Sequence, residues 1–178
     1  MDDIPHINKT YSTPVGYDQR AWVNRHVGAL IAQWATAESH IINMIAMILR
    51  VSQANGDVIF FSQSSHYGRM KLLNALINTN LQGDLKDRSL AIIKRFKAPT
   101  RLRNELAHAE WVIDQGTGHY IATVSANLDT VDQKPLLETK AFDKGRINEI
   151  DQACRVLSKI VNDIIDLNED LRKRPLSE

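Results

Sequence analysis

In the segment RLRNELAHAEW, residues 101 to 111, Arg103, Asn104 and His108 stand close together. On a helix, the four-residue step from Asn104 to His108 places both on one face. Arg103 lies about 100° round from Asn104, a gap that its long side chain can cross, so the spacing predicts that the three tips converge. A guanidinium binds phosphate oxygens in a bidentate way and stays charged at every relevant pH. An imidazole titrates near pH ~6.5 and can give or take a proton at neutrality. The carboxamide of Asn104 can hold the imidazole tautomer or a phosphate oxygen. Such a set suits cleavage of a phosphodiester by its own 2′-hydroxyl, with a base, an acid and a cation facing the pentacoordinate state and no metal required.

The rest of the chain must supply the scaffold for that segment. Residues 1–17 hold two prolines and a glycine without periodicity and are expected to form an extended or disordered N-terminal arm. From Tyr17 to Ser52 there is no proline, and Val23, Val27, Ile31, Trp34, Ile41, Ile45 and Ile48 repeat at helical intervals. A long first helix is therefore expected. QANGD at 53–57 reads as a breaker, and a second helix follows the serines at 62–65 and ends near Gly83. A third begins near Asp84, and Pro99 predicts either a kink or a fresh helix to Ala109. Residues 111–125 read as a short inserted β-hairpin turning at QGTG. Ile147, Ile150, Cys154, Leu157, Val161, Ile164 and Leu171 then predict a long final helix. The expected fold is all-α: an up-and-down bundle of four to five helices over 18–174 with that hairpin inserted.

At 178 residues and 43% apolar, the chain has the size and composition of one globular domain. The lone Cys154 cannot form an internal disulfide, and the acidic start MDDIPHIN lacks the basic and apolar regions of a secretory signal, so a cytoplasmic protein is expected. The most apolar run, IINMIAMIL at 41–49, is half a membrane span, and no membrane association is expected. No phosphate loop, zinc-type cysteine pair, H-E-x-x-H or nucleophile elbow occurs, so neither a metal nor a cofactor is expected.

RNELAH fits the R-x-x-x-x-H pattern with a polar residue after the arginine, and in this it resembles the HEPN superfamily of helical-bundle proteins. The resemblance implies a metal-independent endoribonuclease acting as a homodimer, with two motifs facing each other across a shared cleft. It makes Arg103, Asn104 and His108 the catalytic set and RNA the substrate. It also implies a toxin or defence role and control by an antitoxin or regulatory protein. Many HEPN toxins paired with nucleotidyltransferase antitoxins carry Tyr two residues after the histidine; here that position is Glu110, so control through such a tyrosine does not carry over.

Charge gives a second pointer. Residues 86–103 hold seven basic residues against Asp87 alone, a balance of +6 in a chain of net charge +1. Lys94, Arg95, Lys97 and Arg101 are the expected RNA contacts beside the motif. Glu38, on the apolar stripe of the first helix, needs a cationic partner, and Arg69 or Arg103 would supply one in a site-orienting ion pair. His40, His66 and His119 read as surface or hydrogen-bonded histidines, Tyr67 and Tyr120 as core or hairpin packing residues with base stacking as the alternative if they rim a cleft, and Trp22, Trp34 and Trp111 as packing anchors. Two rival readings stay open: a HEPN-like dimer that binds RNA or protein without cutting, and an unrelated helical protein in which Arg103 and His108 make only structural hydrogen bonds.

Overall fold

The structure, a computed structural model, describes residues 17–108, 110–113, 120–125, 137–141 and 144–174. The N-terminal arm, Tyr17 apart, lies outside the described residues, as do His119 and the side chains of Trp22, Trp111 and Tyr120. Five helices carry the fold: α1 Tyr17–Leu49, α2 Gln53–Phe61, α3 His66–Asn80, α4 Gly83–Ala107 and α5 Lys144–Lys173.

α1 is proline-free for 33 residues, about 50 Å of helix. It stops at Arg50, whose φ of 56° lies in the left-handed region, while the Val51 amide donates back to the Ala46 carbonyl at 3.0 Å. The segment expected to break the chain at 53–57 is instead the start of α2. Ser52 caps it, accepting from the Asn55 amide at 3.3 Å, and Gly56 is buried where a side chain would meet α1, 3.1 Å from the Ala46 Cβ. Glycine here permits close approach of two helices rather than a turn. Ser65 caps α3 through the Gly68 amide at 3.0 Å. α4 runs unbroken through Pro99, which is buried within it.

Long-range pairs give the helix directions. The Arg174 guanidinium donates to the Ile48 carbonyl at 3.0 Å and to the Asn80 carbonyl at 2.9 Å, so the ends of α1, α3 and α5 meet. Arg88 pairs with Asp170, Arg95 with Asp163 and Arg146 with Glu105, which sets α4 antiparallel to α5. The α1 to α2 junction turns through 110°, making α2 a short oblique leg. α1, α4 and α5 enclose most of the core, which includes Leu30, Met44, Phe60, Phe96, Leu106 and Leu157. The buried seam of α5 is Ile150, Ala153, Leu157, Ile160, Ile164, Leu167 and Leu171, a three-four repeat shifted from the expected one. Cys154 is therefore half-buried at the edge of the seam, and burial pushes its thiol pKa up.

The inserted two-stranded hairpin is not supported as a self-contained element. Glu110–Ile113, Tyr120–Ser125 and Leu137–Ala141 pair antiparallel in that order, and residues 114–119, where the turn was expected, lie outside the described residues. Two strands alone are marginal, and the third gives the central one a partner on each side.

Candidate functional site

α4 has two faces, and the motif is divided between them. Ile92, Phe96, Pro99, Thr100 and Leu106 are buried, whereas Lys94, Lys97, Ala98, Arg101, Ala107 and His108 are exposed. At 3.6 residues per turn, Arg103 and His108 point about 140° apart. The expected convergence of three tips is therefore not found within one chain. The Arg103 Nη1 donates to the Asn104 Oδ1 at 2.7 Å, which joins two of the three. His108 caps the end of α4, its backbone amide donating to the Asn104 carbonyl at 3.2 Å. Its exposed imidazole makes no hydrogen bond among the described residues.

Arg103 turns inward because a flat aromatic seat awaits it there. Its guanidinium carbon lies 4.0 Å from the centroid of the Trp34 ring, a cation-π contact. That ring is itself fixed: its Nε1 donates to the Thr100 Oγ1 at 2.9 Å, the Thr100 hydroxyl donates to the Phe96 carbonyl at 2.8 Å, and the Phe96 ring stacks on it at 5.7 Å. Two turns of α4 thus carry both the guanidinium and the groups that orient its platform.

Glu38 and Arg69 lie beside this seat, their side chains 14% and 20% exposed and 3.6 Å apart. The Glu38 carboxyl pKa is raised, because burial outweighs the attraction of Arg69 and Arg103. Arg69 is held over Phe60 and Phe61, at 5.2 and 4.8 Å from the ring centroids, while its Nε donates to the Gln63 carbonyl at 3.0 Å. His66 is not the ordinary histidine expected. Its ring sits 5.8 Å from Trp34 and 5.9 Å from Phe96, and burial together with Arg69 and Arg103 lowers its pKa. Glu38 Oε1, His66 Nδ1 and Arg103 Nε are all buried without a hydrogen-bond partner. Sequence reasoning missed His66; the signal for it was the serine cap that sets the first turn of α3 against α1. Tyr67, expected as a packing residue, is 78% exposed.

The basic run also divides. Arg95, expected to meet RNA, is bonded to Asp163 at 2.5 Å, and Arg88 to Asp170 at 2.8 Å, so α5 neutralises that edge of α4. Lys94, Lys97 and Arg101 are exposed and in no ion pair among the described residues. Glu105, inside the motif, is bonded to the buried Arg146 of α5, which also meets Glu149 at 2.5 Å. No group of three or more acids, histidines or cysteines that could hold a metal ion occurs among the described residues, and no single described helix is long and apolar enough to cross a membrane.

Comparison with family models, with curated proteins and with solved structures gives no match to this chain. Its chemistry is therefore read from its own groups: a seated guanidinium, an amide bonded to it, an exposed imidazole, and a row of free cations between them and the start of α4.

Proposed function

We propose that this chain is a HEPN-like, metal-independent endoribonuclease that works as a homodimer in the cytoplasm, in a toxin or defence role. The observation that carries the reading is the Arg103 to Asn104 bond at 2.7 Å on a helix whose exposed end is His108. These are the groups that cleavage by an internal 2′-hydroxyl requires. Arg103 and His108 face apart on one α4, which supports a reading in which a second copy completes the set across a dimer cleft. In the reaction, one His108 accepts the proton of the 2′-hydroxyl as its oxygen bonds to phosphorus. The bond from phosphorus to the 5′-oxygen breaks, and that oxygen takes the proton from the same imidazolium. Arg103 neutralises the phosphoryl oxygens, and Asn104 orients the guanidinium. The products are a 2′,3′-cyclic phosphate and a 5′-hydroxyl.

A specific observation favours a second reading. Arg103 already rests on Trp34 beside Glu38, a stable place for an arginine that never meets substrate. A HEPN-like dimer that binds RNA or protein without cutting would keep this arrangement. Incubation of mixed RNA with excess chelator, comparing wild type with an equally folded His108→Ala variant, separates the two. Cleavage by wild type alone, ending in cyclic phosphate and absent on a 2′-deoxy substrate, is expected. Cleavage by neither protein moves the function to the binding module.

A further inference from the structure

We propose that the outward face of α4 is a track for one unpaired strand of RNA, its backbone on Lys94, Lys97 and Arg101 and a base stacked on Tyr67. This deepens the RNA reading above and rests on it. The three cations lie at i, i+3 and i+7, one face of the helix, and His108 continues the same face one heptad further on. At 1.5 Å per residue the row from Lys94 to His108 extends about 21 Å. From residue 91 to 108 every exposed charged side chain is a cation or the imidazole.

The borders of the row give the strand its course. On the α5 side, a cleft of about 250 Å³ is lined by Arg88 and Arg95 together with Asp163 and Asp166. Its cations are already paired and its acids repel phosphate, so a polyanion is turned away from that edge. The opposite side is α3. There His66 packs 5.9 Å from Phe96, on the buried face of α4 at the level of Lys94 and Lys97, and the next residue, Tyr67, presents a ring that is 78% exposed. A short cationic row on α4 with an exposed aromatic ring on the neighbouring α3 fits a single strand. Duplex RNA is read through its shape and 2′-hydroxyls across the minor groove and offers no base face to stack, whereas each unpaired base presents one.

The test measures binding of a fluorescent oligouridylate to the full chain carrying His108→Ala, so that the probe stays intact. Added to that parent, Lys94→Gln, Lys97→Gln and Arg101→Gln together are expected to weaken binding at least about tenfold at low salt. They should also reduce the slope of log K against log salt by about 2, the share of three phosphate contacts on a single strand. Tyr67→Ala is expected to cost about tenfold on the single strand and nothing on duplex RNA. All four side chains are exposed, so the melting temperature stays that of the parent and reports folding. The track is overturned by a triple variant with the parent's affinity and slope, by duplex bound as tightly as single strand, or by poly-glutamate competing as well as RNA, which would assign the face to an acidic protein. The cleavage reading fails separately: a parent that binds through the row while wild type never cuts keeps the track and discards the ribonuclease.

Discussion

A buried charge is held at a cost unless its surroundings compensate, and around Trp34 the compensation is incomplete for two groups of opposite kind. Glu38 ionises less readily than usual because it is buried, although two guanidinium groups lie near it, and His66 takes a proton less readily because it is buried and because the same two groups repel it. The consequences for stability run in opposite directions. With the His66 pKa below its ordinary 6.5, the unfolded chain binds more protons than the folded one as pH drops under 6.5, so stability contributed above that pH is lost on acidification. With the Glu38 pKa above its ordinary 4.5, the folded chain takes the proton first, and acidification through that lower range is stabilising. Urea unfolding followed from neutral pH down through 6.5 is expected to show the loss in wild type and a flatter profile in His66→Phe, whose ring still fills the gap beside Trp34 and Phe96. An unchanged profile in the variant would exclude His66 as the source.

Two glycines in helices test how the elements meet. Gly28 of α1 is exposed, and a Cβ there would have nothing within 4 Å, so Gly28→Ala is expected to stabilise by about 0.5–1 kcal/mol through helix propensity alone. Gly56 of α2 has the same propensity to gain, but its Cβ would lie 3.1 Å from the Ala46 Cβ and 3.3 Å from the Ile42 carbonyl oxygen, neither of which can swing aside. Overpacking of about 1–3 kcal/mol outweighs the gain, and Gly56→Ala should lower stability. Denaturant midpoints of the two variants on opposite sides of wild type are the expected result; a stabilised Gly56→Ala would mean that α2 does not press on α1. The same glycine explains what was hard to read from the sequence. α1, α4 and α5 were legible because each buries a stripe of large apolar residues over many turns. α2 has only nine residues, and its Asn55, Gly56 and Asp57 carry turn chemistry in isolation. Only contact with α1 decides between turn and helix there. The motif shows the same limit: spacing placed Asn104 and His108 on one helix, but nothing local revealed that Trp34, 66 residues away from Thr100, would draw Arg103 to the other face.

Across the whole molecule, charge is sorted by helix. α5 supplies Asp163, Asp170 and Arg146 to fix α4 by pairs at both of its ends, and the cations left over on α4 face solvent with His108. One chain therefore presents an imidazole outward and a guanidinium inward, on opposite sides of a single helix, and the proposed catalytic set would take one from each of two copies. Mixed variants probe that requirement directly. Arg103→Ala and His108→Ala homodimers would each lack one member in both of their sites and should be inactive. After unfolding and refolding together, half of the dimers would be mixed, and each mixed dimer would hold one complete site, with the arginine of one chain opposite the histidine of the other. Activity in the mixture should therefore return to about a quarter of wild type, as two-fold symmetry with random pairing requires. If both members come from the same chain, every mixed dimer keeps only damaged sites and the mixture stays inactive. Recovered cleavage would thus locate the reaction between copies, and its absence from a mixture of well-folded dimers would require Arg103 to leave Trp34 and reach His108 on its own helix.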